Sequence, residues 1–503
     1  MTESRVTRGV PSAQPGGDRD LLQDPREDLA ATGVLRRLLV LDRAPLAVTR
    51  HGAFILCCAA TVTGATKPSA SEILDRLEVW GQKLGLEATR SLLDVLGEPQ
   101  HRVPTVLVAG TNGKGSTSAA LASILSAAGF RCGLYTSPHL EHVEERLRID
   151  GVAVSEAELG QWLRRVLEAA GHAPPTYFES LTAAAWLHFA HHGVDAAVFE
   201  VGLGGRLDAT NVSEPLLSVV TQVARDHAPQ LGWTLTSIAG EKAGVMRPGR
   251  TCLTWPGRPE VERELRRCAA VCGAQLVDAR DGVVFERRLE AGHLSLTTPN
   301  AQYRFRAPLA GGHQLTNLAL AVRAAEEFCA LAGRDLDREA VRQGLEAVHW
   351  PGRLEWVDVD AHGGHRRVLF DAAHNPAGAA ALHAYLEETG LRFDLLYGSL
   401  AEKHPEQCLP RLAERAHRIV LTAFDHPRAA SPETLAPLLR AGRAVLSGNA
   451  AEALERGVAT PSSPTHALVV TGSLYLVGEV RSALRDCCGV PVAARELVTG
   501  FRR

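Results

Sequence analysis

Lysine is almost missing from this chain. Only Lys67, Lys83, Lys114, Lys242 and Lys403 carry it, against 54 lysines and arginines together. Arginine therefore does the generic work of the basic surface, and each remaining lysine gains weight as a place needing a compact or deprotonatable amine. The plain alternative is base composition with random survivors. Net charge is nearly absent too: 54 basic residues against 57 acidic leave −3, which gives no reason to propose nucleic acid or an acidic membrane as partner. The apolar stretch HGAFILCCAATVTG (51–64) falls short of the ~20 residues that span a bilayer. It also lies too far from Met1 for a usual signal peptide. The ten cysteines form no CxxC pair and no disulfide framework, and Cys268 and Cys272, one helical turn apart, read as ordinary thiols. A cytoplasmic location fits this usage. Heptads, internal repeats and low-complexity tracts are lacking as well.

What remains is an ordinary globular composition, 45% hydrophobic over 503 residues, with room for two or three domains. Residues 1–68, with the polar run PSAQPGGDRD, read as a disordered N-terminal extension of no catalytic importance. This fits a translation start assigned too early, although Met1 and Met246 are the only methionines. From Ser69 the pattern changes. SASEILDRLEVWGQKLG has a Ser cap and apolar Ile73, Leu74, Leu77 and Trp80 at helical spacing. Nearly continuous apolar runs then alternate with helical stretches: TVLVAG, RCGLYTS, DAAVFEV and LLSVVTQ. A second series follows Arg353: RRVLFDAA, FDLLYGS, RIVLTAF and ALVVTGS. Such runs suit strands buried on both faces of parallel sheets. The predicted fold is α/β: a P-loop parallel-sheet ATPase domain over 69–348, then a smaller doubly wound α/β domain over 353–503.

The strongest motif is Gly110-Thr111-Asn112-Gly113-Lys114-Gly115-Ser116, between a buried strand and a helix. Its glycines let backbone N–H groups approach phosphate oxygens, the helix N-terminus adds positive potential, and Lys114 would reach the β/γ-phosphates of ATP. A usual phosphate loop follows its lysine with Ser or Thr, whose hydroxyl holds magnesium. Here that residue is Gly115. Other strand ends must supply the metal ligands, because ligands gather beyond the carboxyl ends of strands in such sheets. Ser137, Pro138 and His139 follow RCGLYT, Glu200 ends DAAVFE, and His227 follows LLSVVTQVARD. Oxygen ligands suit magnesium, while His is less usual for so hard a cation.

With these motifs the chain resembles the bacterial bifunctional folylpolyglutamate synthase/dihydrofolate synthases, relatives of the Mur ligases. The matching segments include LLDVLGEP, VAGTNGKGS, LYTSPHL, TYFESLT, FEVGLGGRLDATN, SIAGEKAG, GGHQLTNLALA, PGRLE, DAAHNP and VVTGSLYLVGEV. The resemblance implies a Mur-ligase-like ATP-binding domain followed by a glutamate-ligase domain. It implies ATP-dependent ligation of L-glutamate to dihydropteroate and reduced folates, through an acyl phosphate, by a monomer. It further implies two Mg2+ ions held by Ser137, Glu200, His227 and Lys242, the last as a carbamate. Bare ammonium at Lys242 would repel the metal, whereas a carbamate offers anionic oxygens; the plain alternative is a helix-surface lysine paired with Glu241. Asn317, Arg353, Asp371 and His374 match the ATP site, with Lys114, Lys242, Arg353 and His227 as the catalytic set. Thr176, Tyr177, Phe178 and Glu179, with Leu207, Asp208 and Ala209, match the pteroate pocket.

Two departures stand out: Ala372 where glycine is usual, which matters only if the backbone there needs positive φ, and Glu402-Lys403-His404 in place of an Asp-Lys-Asp run. GLGG at 202–205 lacks dinucleotide spacing. HFAHH at 188–192 places three histidines on a helix with nothing nearby to complete a metal set, so solvent-exposed imidazoles are expected. The rival readings are a Mur-type ligase acting on a nucleotide-linked precursor, and a nucleotide-gated binding protein that ligates nothing.

Overall fold

Residues 68–77, 85–172, 174–287, 293–361, 364–459, 463 and 465–488 are described by a computed structural model. The chain divides into two units, Met1–Ala65 and Thr66–Arg503. The first unit, all of the extension expected over residues 1–68 except Pro68, and Trp80 lie outside the described residues. The helix expected after Ser69 runs Ala70–Leu77 and buries Ile73, Leu74 and Leu77. Its start is a reciprocal cap, with Glu72 N–H donating to Ser69 Oγ and Ser69 N–H donating to the Glu72 carboxylate.

The first sheet has eight strands: β1 (Thr105–Ala109), β2 (Cys132–Tyr135), β3 (Leu147–Ile149), β4 (Val152–Ala153), β5 (Ala196–Glu200), β6 (Leu217–Val220), β7 (Thr251–Thr254) and β8 (Gln275–Asp278). Their order is β4-β3-β2-β5-β1-β6-β7-β8, with β2 through β8 parallel across the sheet and β3 and β4 antiparallel at its edge. Every residue of β1, β2, β5, β6 and β7 is buried. The period of two explains why no polar face appears. Leu107 and Ala109 face a core with Leu181, Trp186 and Phe199, while Val106 and Val108 face another with Leu121, Leu125, Leu318 and Val322. Helices Tyr177–His191 and Lys114–Ala127 supply those two cover layers. β1 is central, and the chain leaves it first toward β2 and later, from β5, toward β6. A crevice at the strands' carboxyl ends is the expected consequence.

A three-stranded antiparallel sheet, β9 (Val284–Arg287), β10 (His293–Thr297) and β11 (Gln302–Arg306), follows and buries Leu296, Tyr303 and Phe305 in the second of those cores. The last sheet orders its strands β12-β13-β17-β14-β15-β16: β12 (Glu355–Ala361), β13 (Gly364–Asp371), β14 (Phe393–Tyr397), β15 (Ile419–Thr422), β16 (Ala444–Ser447) and β17 (Ala467–Thr471). Only β12 is antiparallel. The expected α/β class, with parallel sheets, is observed.

One expectation is overturned. The histidines at 188–192 are not all solvent-exposed: His188 is 3% exposed, and Glu158 of the preceding helix does complete a group with His188 and His192. The reason is tertiary. Helix Glu156–Ala170 packs beside Tyr177–His191 and carries Glu158 in its first turn.

Candidate active site

The phosphate loop is pinned from both sides. Thr111 N–H donates to the Gln222 carbonyl at 2.8 Å, Thr221 Oγ1 donates to the Asn112 carbonyl at 2.8 Å, and Thr111 Oγ1 donates to the Ala224 carbonyl at 3.0 Å. Gly113 enters the Lys114–Ala127 helix at φ 87°, a left-handed conformation that glycine adopts without strain. The Asn317 amide abuts it, buried and held by a 2.8 Å bond to Gln314 Oε1. Asn317 is thus no surface amide. Gly115 faces the indole of Trp350, with 3.0 Å left between an ideal Cβ and Trp350 Cζ2. The position that usually bears the magnesium hydroxyl is filled by an aromatic ring from another segment. Ser116 is buried.

Around this loop the expected strand-end groups assemble unevenly. Glu200 is buried and accepts the Ser137 N–H at 3.3 Å. Burial pushes its carboxyl up from the ordinary value, offset by Lys114, the Ser137 N–H and Arg353. Lys242 is not a surface lysine: it is 3% exposed, donates from Nζ to the Gly110 carbonyl at 2.7 Å, and leaves Glu241 to pair with Arg206 at 2.8 Å. Burial, reinforced by the nearby Lys114 charge, pushes its amine down to about 7. His227 has left-handed backbone (φ 52°) and places Nε2 3.0 Å from Lys403 Nζ. Burial and that ammonium push it down to about 4, so its ring is neutral at pH 7.

Lys403 comes from the last sheet's side of the molecule. Its Nζ lies 2.6 Å from Asp226 Oδ1. Asn375 donates from Nδ2 to Asn112 Oδ1 at 2.9 Å and to Asp226 Oδ2 at 3.2 Å, and His374 Nε2 stands 3.6 Å from the same oxygen. Burial alone would raise Asp226, but His374 and Lys403 outweigh it and hold the carboxylate well below its usual range. Arg353 is within electrostatic reach of Glu200 and Asp371. Asp371 spends both oxygens on backbone, accepting Leu354 N–H and Ala373 N–H at 3.0 Å each. It therefore braces the segment that presents Arg353. Ala372 does not have positive φ, so its methyl group costs nothing there.

The residues matched to the pteroate pocket divide by task. Thr176 and Glu179 form a reciprocal helix cap and are both 4% exposed. Asp208 accepts from Leu203 N–H, Thr210 N–H and Thr210 Oγ1, which shapes the 202–210 loop. Ala209 is buried in that loop. Tyr177, Phe178 and Leu207 are half-buried. Phe178 lies against Gly202, where an added Cβ would come within 2.6 Å of its ring. Gly205 rests on the backbone of Glu241 and Lys242, so loop and phosphate loop share the Lys242 helix as a wall. Sequence reasoning missed Asp226, Trp350 and Asn375 and gave Lys403 no role. Lysine scarcity, and the lysine kept in the Glu402-Lys403-His404 run, were the signals that pointed at Lys403.

The chain matches known proteins across both of these sheets. The Mur ligase middle domain matches residues 108–325, and the Mur ligase, glutamate ligase domain matches residues 352–474. The dihydrofolate synthase/folylpolyglutamate synthase of Bacillus subtilis (strain 168) is 34% identical over 434 residues, 84% of this chain and 99% of that protein. Escherichia coli FolC in complex with DHPP and ADP is similar in structure, with a TM-score of 0.75 at 30% identity, covering 84% of this chain and 98% of that chain. A bifunctional folylpolyglutamate synthase/dihydrofolate synthase with Mn, AMPPNP and L-glutamate bound gives 0.73 at 32% identity over 84% and 100%.

Proposed function

We infer the reaction from the family, for the chain belongs to the folylpolyglutamate synthase/dihydrofolate synthases of the Mur ligase superfamily. It is an ATP-dependent amide-forming ligase that joins L-glutamate to folate acceptors. The observation that carries this reading is the meeting of two sheets at one phosphate loop: Asn112 and Asp226 on one side bond Asn375 and Lys403 on the other. A carboxylate resists amine attack at neutral pH. Transfer of the γ-phosphoryl group from ATP to the acceptor's carboxylate oxygen gives an acyl phosphate and ADP. The glutamate amine then attacks the acyl carbon, phosphate leaves, and the amine loses a proton.

Lys114 and Arg353 would clamp the charge that builds on the transferring phosphoryl group. Asn317, His374 and Asp371 would complete the nucleotide site, with Asp371 acting through the backbone it braces. Ser137 and Glu200 lie together, and the charges nearest Glu200 are cations. This oxygen-donor set fits a hard divalent cation such as Mg2+, and two ions are proposed, with His227 joining once Lys403 lets go of its ring. The metal supplies charge neutralisation at the phosphates. Lys242 would join as a carbamate, its neutral amine adding to carbon dioxide with release of one proton. Tyr177, Phe178 and Leu207 would line the pteroate side. Lys403, a buried ammonium whose partner is Asp226, would receive a carboxylate of incoming glutamate.

The same proposal makes the chain a cytoplasmic monomer, with no nucleic-acid or membrane partner and with both first glutamylation of dihydropteroate and later chain extension. No helix among the described residues is long and apolar enough to cross a membrane. Phosphate release from ATP with L-glutamate, comparing 7,8-dihydropteroate against tetrahydrofolate, tests it. Stimulation by both acceptors supports the bifunctional reading, and stimulation by one narrows it. Turnover indifferent to glutamate and to either acceptor would return the non-ligating reading.

A further inference from the structure

On the helix pair behind the pteroate side, away from the phosphate loop, three donor atoms converge. His188 and His192 stand one turn apart at the end of Tyr177–His191, and Glu158 stands in the first turn of Glu156–Ala170. Their ligand atoms all lie within 4.8 Å of one another. Glu158 Oε1 is 3.3 Å from His188 Nδ1 and 2.6 Å from His192 Nε2. We propose that Glu158, His188 and His192 form a zinc site of the two-histidine, one-carboxylate kind, clipping the open end of this helix hairpin.

The donor atoms can be turned to a cation. Trp162 can only donate, and its indole N–H points at His188 Nδ1 from 3.2 Å. That nitrogen's single lone pair accepts the indole N–H, with a carboxylate oxygen 3.3 Å away, so a metal would take the lone pair as the indole N–H turns to Glu158. Two imidazoles, each offering one ring nitrogen, and one carboxylate make a donor set that zinc accepts, with the ring protons displaced from the ligating nitrogens on binding.

The spacing fits as well. Ligands at about 2.0–2.1 Å in tetrahedral array stand roughly 3.3 Å apart, which is the His188–Glu158 separation. The shorter His192–Glu158 contact has to open by about 0.7 Å, and both side chains are 29% exposed, so they have room. His192 would carry its proton on Nδ1 and present Nε2. Trp162, which also bonds Glu158, would then orient the carboxylate from outside the ligand set. A cation here sits at the C-terminal end of one helix, whose dipole favours it, and at the first turn of the other, whose dipole opposes it, so the dipoles offset. Water would take the fourth position.

Full-length protein, stripped with chelator and held in excess Mg2+ to occupy the hard-cation site, is titrated with Zn2+ and, separately, Co2+. Wild type should bind one more equivalent of Zn2+ than His192→Ala or Glu158→Gln, with affinity at least about 10²-fold higher at that site. Its Co2+ form should show the intense visible bands of a four-coordinate ion, which both variants lack. Zn2+ should raise the wild-type melting temperature and leave the variants unchanged, while melting without metal shows that they fold. Equal zinc stoichiometry and matching cobalt spectra in all three proteins, or no zinc bound by wild type, would overturn the site and leave a hydrogen-bonded bracket between helices.

Discussion

The Trp350 indole occupies the space into which a side chain at position 115 would project, 3.0 Å from Cζ2 and 3.1 Å from Nε1 for an ideal Cβ on Gly115. Arg148 lies over the same ring, its guanidinium carbon 6.0 Å from the ring centroid, so the indole is held between the loop and a cation. Restoring the usual phosphate-loop hydroxyl should therefore harm the protein. Gly115→Ser is expected to lose about 1–3 kcal/mol of stability by overpacking and to raise the KM for ATP at least about tenfold. Adding Trp350→Leu should return part of both losses, a coupling read from a double-mutant cycle. A serine variant with wild-type melting and wild-type ATP affinity would show that the ring gives way.

Arg353 should matter more to turnover than to folding. It is half-buried, within electrostatic reach of Glu200 and Asp371, while the bracing bonds of Asp371 run to Leu354 and Ala373 backbone and do not depend on it. Arg353→Ala is expected to lower kcat by a factor on the order of 10², the scale of a lost charge clamp, with melting temperature within a few degrees of wild type. Near-normal kcat would remove Arg353 from the phosphoryl-transfer site.

The architecture was legible where local pattern and burial agree. β1, β5, β14 and β17 are apolar runs buried on both faces, and the phosphate loop announces itself by glycine, lysine and a following helix. Legibility stopped where a residue's partner lies far along the chain. Nothing near Trp350 in sequence predicts that it fills the gap at Gly115, and nothing near Asp226 predicts Lys403. The histidines of HFAHH misled for the same reason, since Glu158 lies 30 residues before His188. β9 to β11 were missed although QYRFR alternates between exposed and buried, because five residues of alternation weigh little beside longer apolar runs. Thr176 and Asp208, matched to the pteroate pocket by resemblance, also hold backbone in place, a task that depends on the partner's position in the fold.

The carbamate proposed on Lys242 predicts a dependence on pH and carbon dioxide. Burial, with Lys114 beside it, pushes the amine down to about 7, so its neutral fraction grows as pH rises through that value. Only the neutral amine adds carbon dioxide. At fixed dissolved carbon dioxide, activation by bicarbonate should be stronger above pH 7 than at pH 6, and carbon-dioxide-free buffer should depress the rate. The cost of burying the ammonium is fully present below about pH 7 and fades toward the unfolded value near 10.4. Lys242→Ala should lose a factor on the order of 10² or more and recover partly in acetate or formate. Full activity without rescue would sink the carbamate.

Glu141 offers a latch whose pH behaviour can be read independently of catalysis. It follows the Ser137 segment by four residues, yet its partners belong to the Leu474–Cys488 helix: Arg481 Nε donates at 2.9 Å, Ser482 Oγ donates at 3.1 Å, and Arg485 pairs with its second oxygen. Arg481 also pairs with Glu355 at the start of β12. Burial alone would raise the Glu141 carboxyl, but Arg481 and Arg485 outweigh it and hold it below the ordinary value. A depressed carboxylate contributes stability above its unfolded value near 4.3, and loses that contribution as pH falls through the folded value. Glu141→Gln keeps the shape and removes the charge. Arg481 retains Glu355, so the loss at pH 7 should be moderate, about 1.5–3 kcal/mol as for hydrogen bonds to charged groups. The difference in melting temperature between wild type and Glu141→Gln should stay constant from pH 7 to about 5 and shrink below the usual carboxylate range, where the wild-type group protonates too. A difference that is absent at pH 7, or that survives unchanged into strong acid, would show that the charge of Glu141 does not hold this helix to the Ser137 segment.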